Sequence, residues 1–162
     1  IFESDEPEKT VFDDMITEEF LQQVAKTEDL DSVIAIKLKI DTSYQSLLNI
    51  GDLLKRLDNL TLDGSKISSV RDLGVGLKFL VSLSVNDCGL SELDGIGMLT
   101  SLKKLSARDN DIEDVTALAL HETIEVTFIV FHLDLLIPLW PNFCFYIVYR
   151  LGRKQNYRCI CG

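Results

Sequence analysis

The chain has 162 residues, 46% of them hydrophobic, and a formal net charge of −10. That is enough for one domain with a real core, and the acid excess excludes non-specific nucleic-acid binding, which needs clustered Lys and Arg against the phosphates. The stretch Glu3-Ser4-Asp5-Glu6-Pro7-Glu8 is the reverse of a secretory or organellar signal, so a cytoplasmic protein is expected, and the start at Ile1 reads as a fragment of a longer product.

In chain order, residues 1–14 form an acidic segment expected to be disordered. Thr17 then offers an N-cap to a short helix with Glu18 and Glu19 in its first turn, where the dipole favours carboxylates. Phe20, Leu21, Val24 and Ala25 follow at helical spacing. Residues 15–32 are expected to pack as a helical cap on the open end of what comes next, shielding its apolar face.

Residues 33–126 are organised by an internal repeat. One block runs Leu57, Leu60, Leu62, Ser65, Ile67, Val70, Leu73; the next Leu80, Leu83, Val85, Cys88, Leu90, Leu93, Ile96; the third Leu102, Leu105, Ala107, Asn110, Ile112, Val115, Leu118. The starts at 57, 80 and 102 are 23 and 22 residues apart, and a looser copy starts at Val33 with Ile36 and Leu38 in phase. This is the leucine-rich-repeat template. Alternation in L-x-L makes each repeat one short strand with its leucines inward. A small polar residue (Ser65, Cys88, Asn110) serves the turn off the strand, and stacking supplies the core that no single repeat can build. The fold class expected is α/β: a leucine-rich-repeat solenoid with short parallel strands on its concave face and an N-terminal helical cap.

The pattern breaks after Ile124-Glu125-Val126. A fifth repeat would want Leu where Thr127 stands and a small polar residue where His132 stands. Residues 1–126 carry 12 Lys and Arg against 25 Asp and Glu, whereas 127–162 carry Arg150, Arg153, Lys154 and Arg158 against Asp134 alone. Eight of the 13 aromatic residues lie in this divergent apolar tail. Three readings stay open: a segment not native to the repeat domain, a divergent C-terminal cap, or a membrane anchor over Thr127–Tyr149. The anchor is weakened by Asp134, His132, Pro138 and Pro141.

Catalytic chemistry has little to stand on. Neither His121 nor His132 has a nucleophile or orienting carboxylate at a useful place. Gly74-Val75-Gly76 lacks the Lys and Ser/Thr of a phosphate loop and reads as a tight turn. Lone Cys88 and the pair Cys159-x-Cys161 make neither a disulfide framework nor a zinc site, which fits a reducing compartment. No metal and no cofactor is expected, and the chain is read as not an enzyme.

The outward residues of successive strands should instead form columns on the concave face. One is Lys37, Thr61, Ser84 and Ser106; the next is Lys39, Asp63, Asn86 and Arg108, with Asp87 and Asp109 at the rim. This polar surface of mixed sign is the candidate partner-binding site, since extended concave faces are what solenoids use. Asn86→Arg with Arg108→Glu should then weaken binding with the fold intact.

Three further motifs go beyond any generic repeat. Arg71-Asp72-Leu73-Gly74, the run from Cys88 through Asp94-Gly95-Ile96-Gly97, and Asn110-Asp111-Ile112-Glu113-Asp114 closely resemble a family of ciliary leucine-rich-repeat proteins of the 22-residue class. The resemblance covers residues 25–126, and family members continue with another repeat where this chain departs. It implies a location in the cytoplasm and the cilium or flagellum, and a non-catalytic scaffold acting as adaptor in outer dynein arm assembly. Its implied partners are intraflagellar transport or dynein-arm proteins; no nucleic acid is expected from the charge, and no membrane from the flawed anchor. The alternative is a leucine-rich-repeat regulatory subunit of an enzyme such as a protein phosphatase.

Overall fold

The computed structural model describes residues 15–119, 121, 123–132, 143–151 and 154–160. The acidic segment 1–14, residues 133–142 of the apolar tail, and Cys161 lie outside them.

Each repeat forms a strand of three or four residues because alternation lasts only that long. The strands are β1 (Ala35–Lys37), β2 (Asn59–Thr61), β3 (Ser82–Ser84) and β4 (Lys104–Ala107). They pair in parallel, with Ile36, Leu60, Leu83 and Leu105 side by side in one register row. All four are buried, as are Leu38, Leu62, Val85 and Ala107 one alternation later. The intervening Lys37, Thr61, Ser84 and Ser106 form the row that faces outward.

Leaving the strand, the chain turns through a left-handed residue at Gly64, Asp87 or Asp109, with φ between 53° and 71°. The next residue is the small polar position, and its use is the one expected. Asn110 Oδ1 accepts from Cys88 N and Leu90 N at 2.9 and 3.0 Å, while Nδ2 donates to Val85 O and Arg108 O at 2.7 and 3.1 Å. Cys88 takes the donating part with its thiol, whose single hydrogen is shared between Leu62 O and Asn86 O at 3.1 and 3.3 Å. Burial pushes that thiol's pKa above its ordinary value, against the opposing hydrogen bonds from Ser65 and Gly64, so it keeps the proton it donates.

The first copy departs from phase just past Leu38. Lys66 N donates to Ile40 O at 2.8 Å, as Asp111 N does to Leu90 O at 3.0 Å. Ile40 therefore stands where Leu90 stands, with only Lys39 between it and Leu38. This turn has no small polar residue of its own, and Ser65 Oγ accepts from Ile40 N across the repeats at 3.1 Å.

The chain returns through one-turn pieces: the 3-10 turns Val70–Leu73 and Ile96–Met98, and the helices α2 (Ile50–Leu53) and α3 (Thr116–Ala119). Ahead of β1 lies α1 (Glu18–Ala25), N-capped by Thr17, whose Oγ1 accepts from Phe20 N at 3.3 Å. Lys26 ends the helix in the left-handed region. Leu21 is fully buried, and Phe20, Val24 and Ala25 pack partly buried against the same core as the strands. Asn49 Nδ2 donates to Ile16 O at 2.7 Å, tying the segment before the helix to the first repeat.

The sheet continues past the break in the leucine pattern. Strand β5 (Val126–His132) pairs in parallel with β4 from Lys104↔Val126 to Ala107↔Ile129. Thr127 thus takes the register position of Leu105, because ladder hydrogen bonds are made by the backbone and do not require the leucine. The sheet then turns antiparallel through β6 (Phe143–Leu151) and β7 (Lys154–Ile160), so that the seven strands lie side by side in sequence order. The described parts of Thr127–Tyr149 are strand, and no helix among the described residues is long and apolar enough to cross a membrane.

Candidate partner-binding surface

The sequence columns converge on one face of the sheet. Lys37, Thr61, Ser84 and Ser106 are register neighbours across β1 to β4. Lys39, Asp63, Asn86 and Arg108 follow two residues on, and Asp87 and Asp109 are exposed beside them at the exit turns. A third outward row, Ala35, Asn59, Ser82 and Lys104, starts the strands. Sequence reasoning passed it over, although the same period-two alternation places it two residues before Thr61.

The second column is stitched together by its own side chains. Asp63 Oδ1 accepts from Ser84 Oγ at 2.7 Å and Asn86 N at 2.9 Å. Asn86 Oδ1 repeats the pattern one strand on, accepting from Ser106 Oγ and Arg108 N, both at 2.8 Å, while Nδ2 donates to Ser84 Oγ at 2.9 Å. The ladder stops at Arg108, whose guanidinium has no acceptor to pass on. Asn86→Arg would therefore strip Arg108 N and Ser106 of their acceptor, so the double substitution costs stability as well as altering the face.

Electrostatics follow the same geometry. Partial burial pushes the Asp63 carboxyl up, but the Asn86 N–H, the Ser84 hydroxyl, the Asn86 side chain and nearby Lys37 together outweigh it and hold the group below its ordinary value. Asp87 and Asp109 sit in the left-handed backbone region, at φ 53° and 58°. Asp tolerates this region better than most residues do, so the turn accounts for the residue type at both rim positions.

The motifs beyond the leucines lie on the return side. Ser69 and Asp72 form a capping box at Val70–Leu73. Ser69 Oγ also donates to Asp94 O at 3.1 Å, and the Arg71 guanidinium pairs with the Asp94 carboxylate. Gly95 has φ +90°, and a Cβ there would lie 2.8 Å from the Arg71 backbone. Gly74 is likewise closed in, its Cβ position 2.7 Å from Leu48 O, which makes Gly74-Val75-Gly76 a packing turn. Asp94, Asp111, Glu113 and Asp114 border a groove of about 610 Å³ on this side.

Among the described residues, no three His, Cys, Asp or Glu side chains gather as a metal ion would need. His121 is buried, with Nε2 3.1 Å from Leu99 O and Nδ1 3.3 Å from Thr123 Oγ1. Thr123 in turn donates to Leu102 O at 2.7 Å. This histidine closes the end of the fourth repeat.

Three phased repeats with a looser first copy, a parallel strand per repeat and the buried Ser/Cys/Asn position define a leucine-rich-repeat protein of mixed α/β structure. No protein-family model matches the chain. Over about two thirds of its length the chain is homologous to leucine-rich repeat-containing protein 56. The human protein of that name is 44% identical over 106 residues, covering 65% of this chain and 20% of its own length. The mouse protein is 42% identical over 106 residues, covering 65% of this chain and 19% of the relative. A Trypanosoma brucei homologue is 30% identical over 110 residues, 67% of this chain and 15% of the relative. The chain thus spans about a fifth or less of the length of these relatives.

Proposed function

We propose that the chain is a non-catalytic protein-binding scaffold, a solenoid whose parallel strands line a concave face and whose first repeat is capped by α1. Proteins dock on the outward rows of β1 to β4. The observation that carries this reading is the run of register-aligned polar rows over a continuous leucine core, a surface too broad and open for a small molecule and suited to a protein. The homology to leucine-rich repeat-containing protein 56, together with the resemblance drawn from the Asp94-Gly95-Ile96-Gly97 motif, supports the finer reading. On that reading the protein works in the cytoplasm and the cilium or flagellum as an adaptor in outer dynein arm assembly, with intraflagellar transport or dynein-arm components as partners.

The test is affinity purification of the tagged full chain from ciliating cells, alongside a Thr61→Arg/Lys104→Glu variant whose melting curve matches the parent. Recovery of transport or dynein-arm proteins with the parent and their loss with the variant is the expected result. Recovery of a phosphatase catalytic subunit would move the function to the regulatory-subunit class. Recovery of the same proteins by both chains would remove the strand face from the account.

A further inference from the structure

We propose that the strand face is built for an acidic protein segment, an extended chain with carboxylates spaced to reach from β1 to β4. This rests on the scaffold reading above and names the chemistry of the partner.

The chain carries a net charge of −10, yet the outward rows of β1 to β4 run the other way. Lys37 and Lys39 stand at one end, Lys104 and Arg108 at the other, all exposed. The single carboxylate in these rows, Asp63, is hydrogen-bonded by Ser84 and Asn86 and also feels the charge of nearby Lys37. Between the two cationic ends lies a neutral floor of Thr61, Ser84 and Ser106. The ends are three strand spacings apart, roughly 14 Å, which an extended peptide covers in about four residues.

Off the face, Lys55, Lys66, Arg71 and Lys103 are ion-paired with Asp31, Asp41, Asp94 and Glu125, whereas Lys26, Arg56 and Lys78 have no such pair among the described residues. Among the described residues, the four cations of the face have no side-chain ion pair or hydrogen bond. Carboxylates collect on the return side around the groove at Asp94, Asp111 and Asp114. Asp87 and Asp109 fence the exit edge of the face, which directs an acidic segment toward Lys37 and Lys104. That fence, on an acidic molecule, disfavours a continuous phosphate backbone.

The full chain is titrated, by fluorescence anisotropy, into a fluorescein-labelled 12-residue peptide with glutamates four positions apart. A glutamine twin and a single-stranded DNA oligonucleotide of equal charge are run beside it. The glutamate peptide is expected to bind and the twin not. Lys37→Glu or Lys104→Glu should each weaken binding about tenfold, as should a rise in salt through the screening range. Lys55→Glu, off the face, should leave it unchanged, and circular dichroism confirms that each variant is folded. Equal binding of the twin, equal binding of the oligonucleotide, loss of binding with Lys55→Glu, or no binding at millimolar chain would each overturn the proposal. If purification finds face-dependent proteins while the glutamate peptide fails, the scaffold reading stands and this inference falls.

Discussion

The two sides of the repeat stack are held by different means. On the return side the chain is closed in: Gly95 has room for no side chain against Arg71, and Ser69, Asp72 and Asp94 bridge successive repeats. On the strand side, Thr61, Ser106 and the four cations sit on a surface whose backbone is already satisfied by its neighbours. The motifs on that side that carry the resemblance, Arg71 to Gly74 and Asp94-Gly95, are thus clamps between repeats, and the residues free to choose a partner are the ones with the least local constraint. Resemblance through such motifs transfers architecture more securely than it transfers a partner.

That contrast can be broken by substitution. Leu83 is fully buried beneath both sides, and Leu83→Ala should cost about 2–5 kcal/mol in urea unfolding through the cavity it leaves. A loss below about 1 kcal/mol would mean that the repeat register is wrong. Gly95→Ala comes next, at about 2 kcal/mol, since it adds left-handed strain to a backbone clash. Asn86→Ala should cost about 1–2 kcal/mol, because it orphans Arg108 N and Ser106; this is the place where the strand face behaves like the return side. Lys104→Glu closes the series at under about 0.5 kcal/mol, with its effect appearing only in binding. A Lys104→Glu penalty as large as that of Gly95→Ala would erase the distinction between the sides.

Acid probes the same exception. With its folded pKa depressed, Asp63 contributes stability that is fully present above the ordinary Asp value of about 3.9. It is lost as pH falls through the lower folded value. Asp63→Asn retains an oxygen acceptor for Ser84 and Asn86 and should flatten that part of the profile in thermal melts taken between pH 6 and 2. An unchanged acid limb would show that the carboxylate is not held by its neighbours.

Much of this was legible in the sequence because repetition multiplies a weak signal. A single L-x-L is uninformative; three at 22 or 23 residues, each followed by Ser65, Cys88 or Asn110 at the same offset, dictate strand, turn and core together. The Thr17 cap and the buried side of α1 were readable for the same local reasons. The Asp63–Asn86 ladder was not, because it joins the Asp63 side chain to a backbone N–H 23 residues on, a meeting that depends on strand register. The shortened first turn was hidden because Ile40 keeps an apolar residue near the expected place while the small polar position is absent. The persistence of the sheet into β5 escaped a reading based on leucines, since parallel pairing is a property of the backbone.

Amide hydrogen exchange on the full chain, with and without a purified partner, tests the central claim most directly. Protection concentrated in Ala35–Lys37, Asn59–Thr61, Ser82–Ser84 and Lys104–Ala107 is the predicted result, with Val70–Leu73 and Ile96–Met98 unchanged. Protection on those return-side turns, with the strands unaffected, would contradict it.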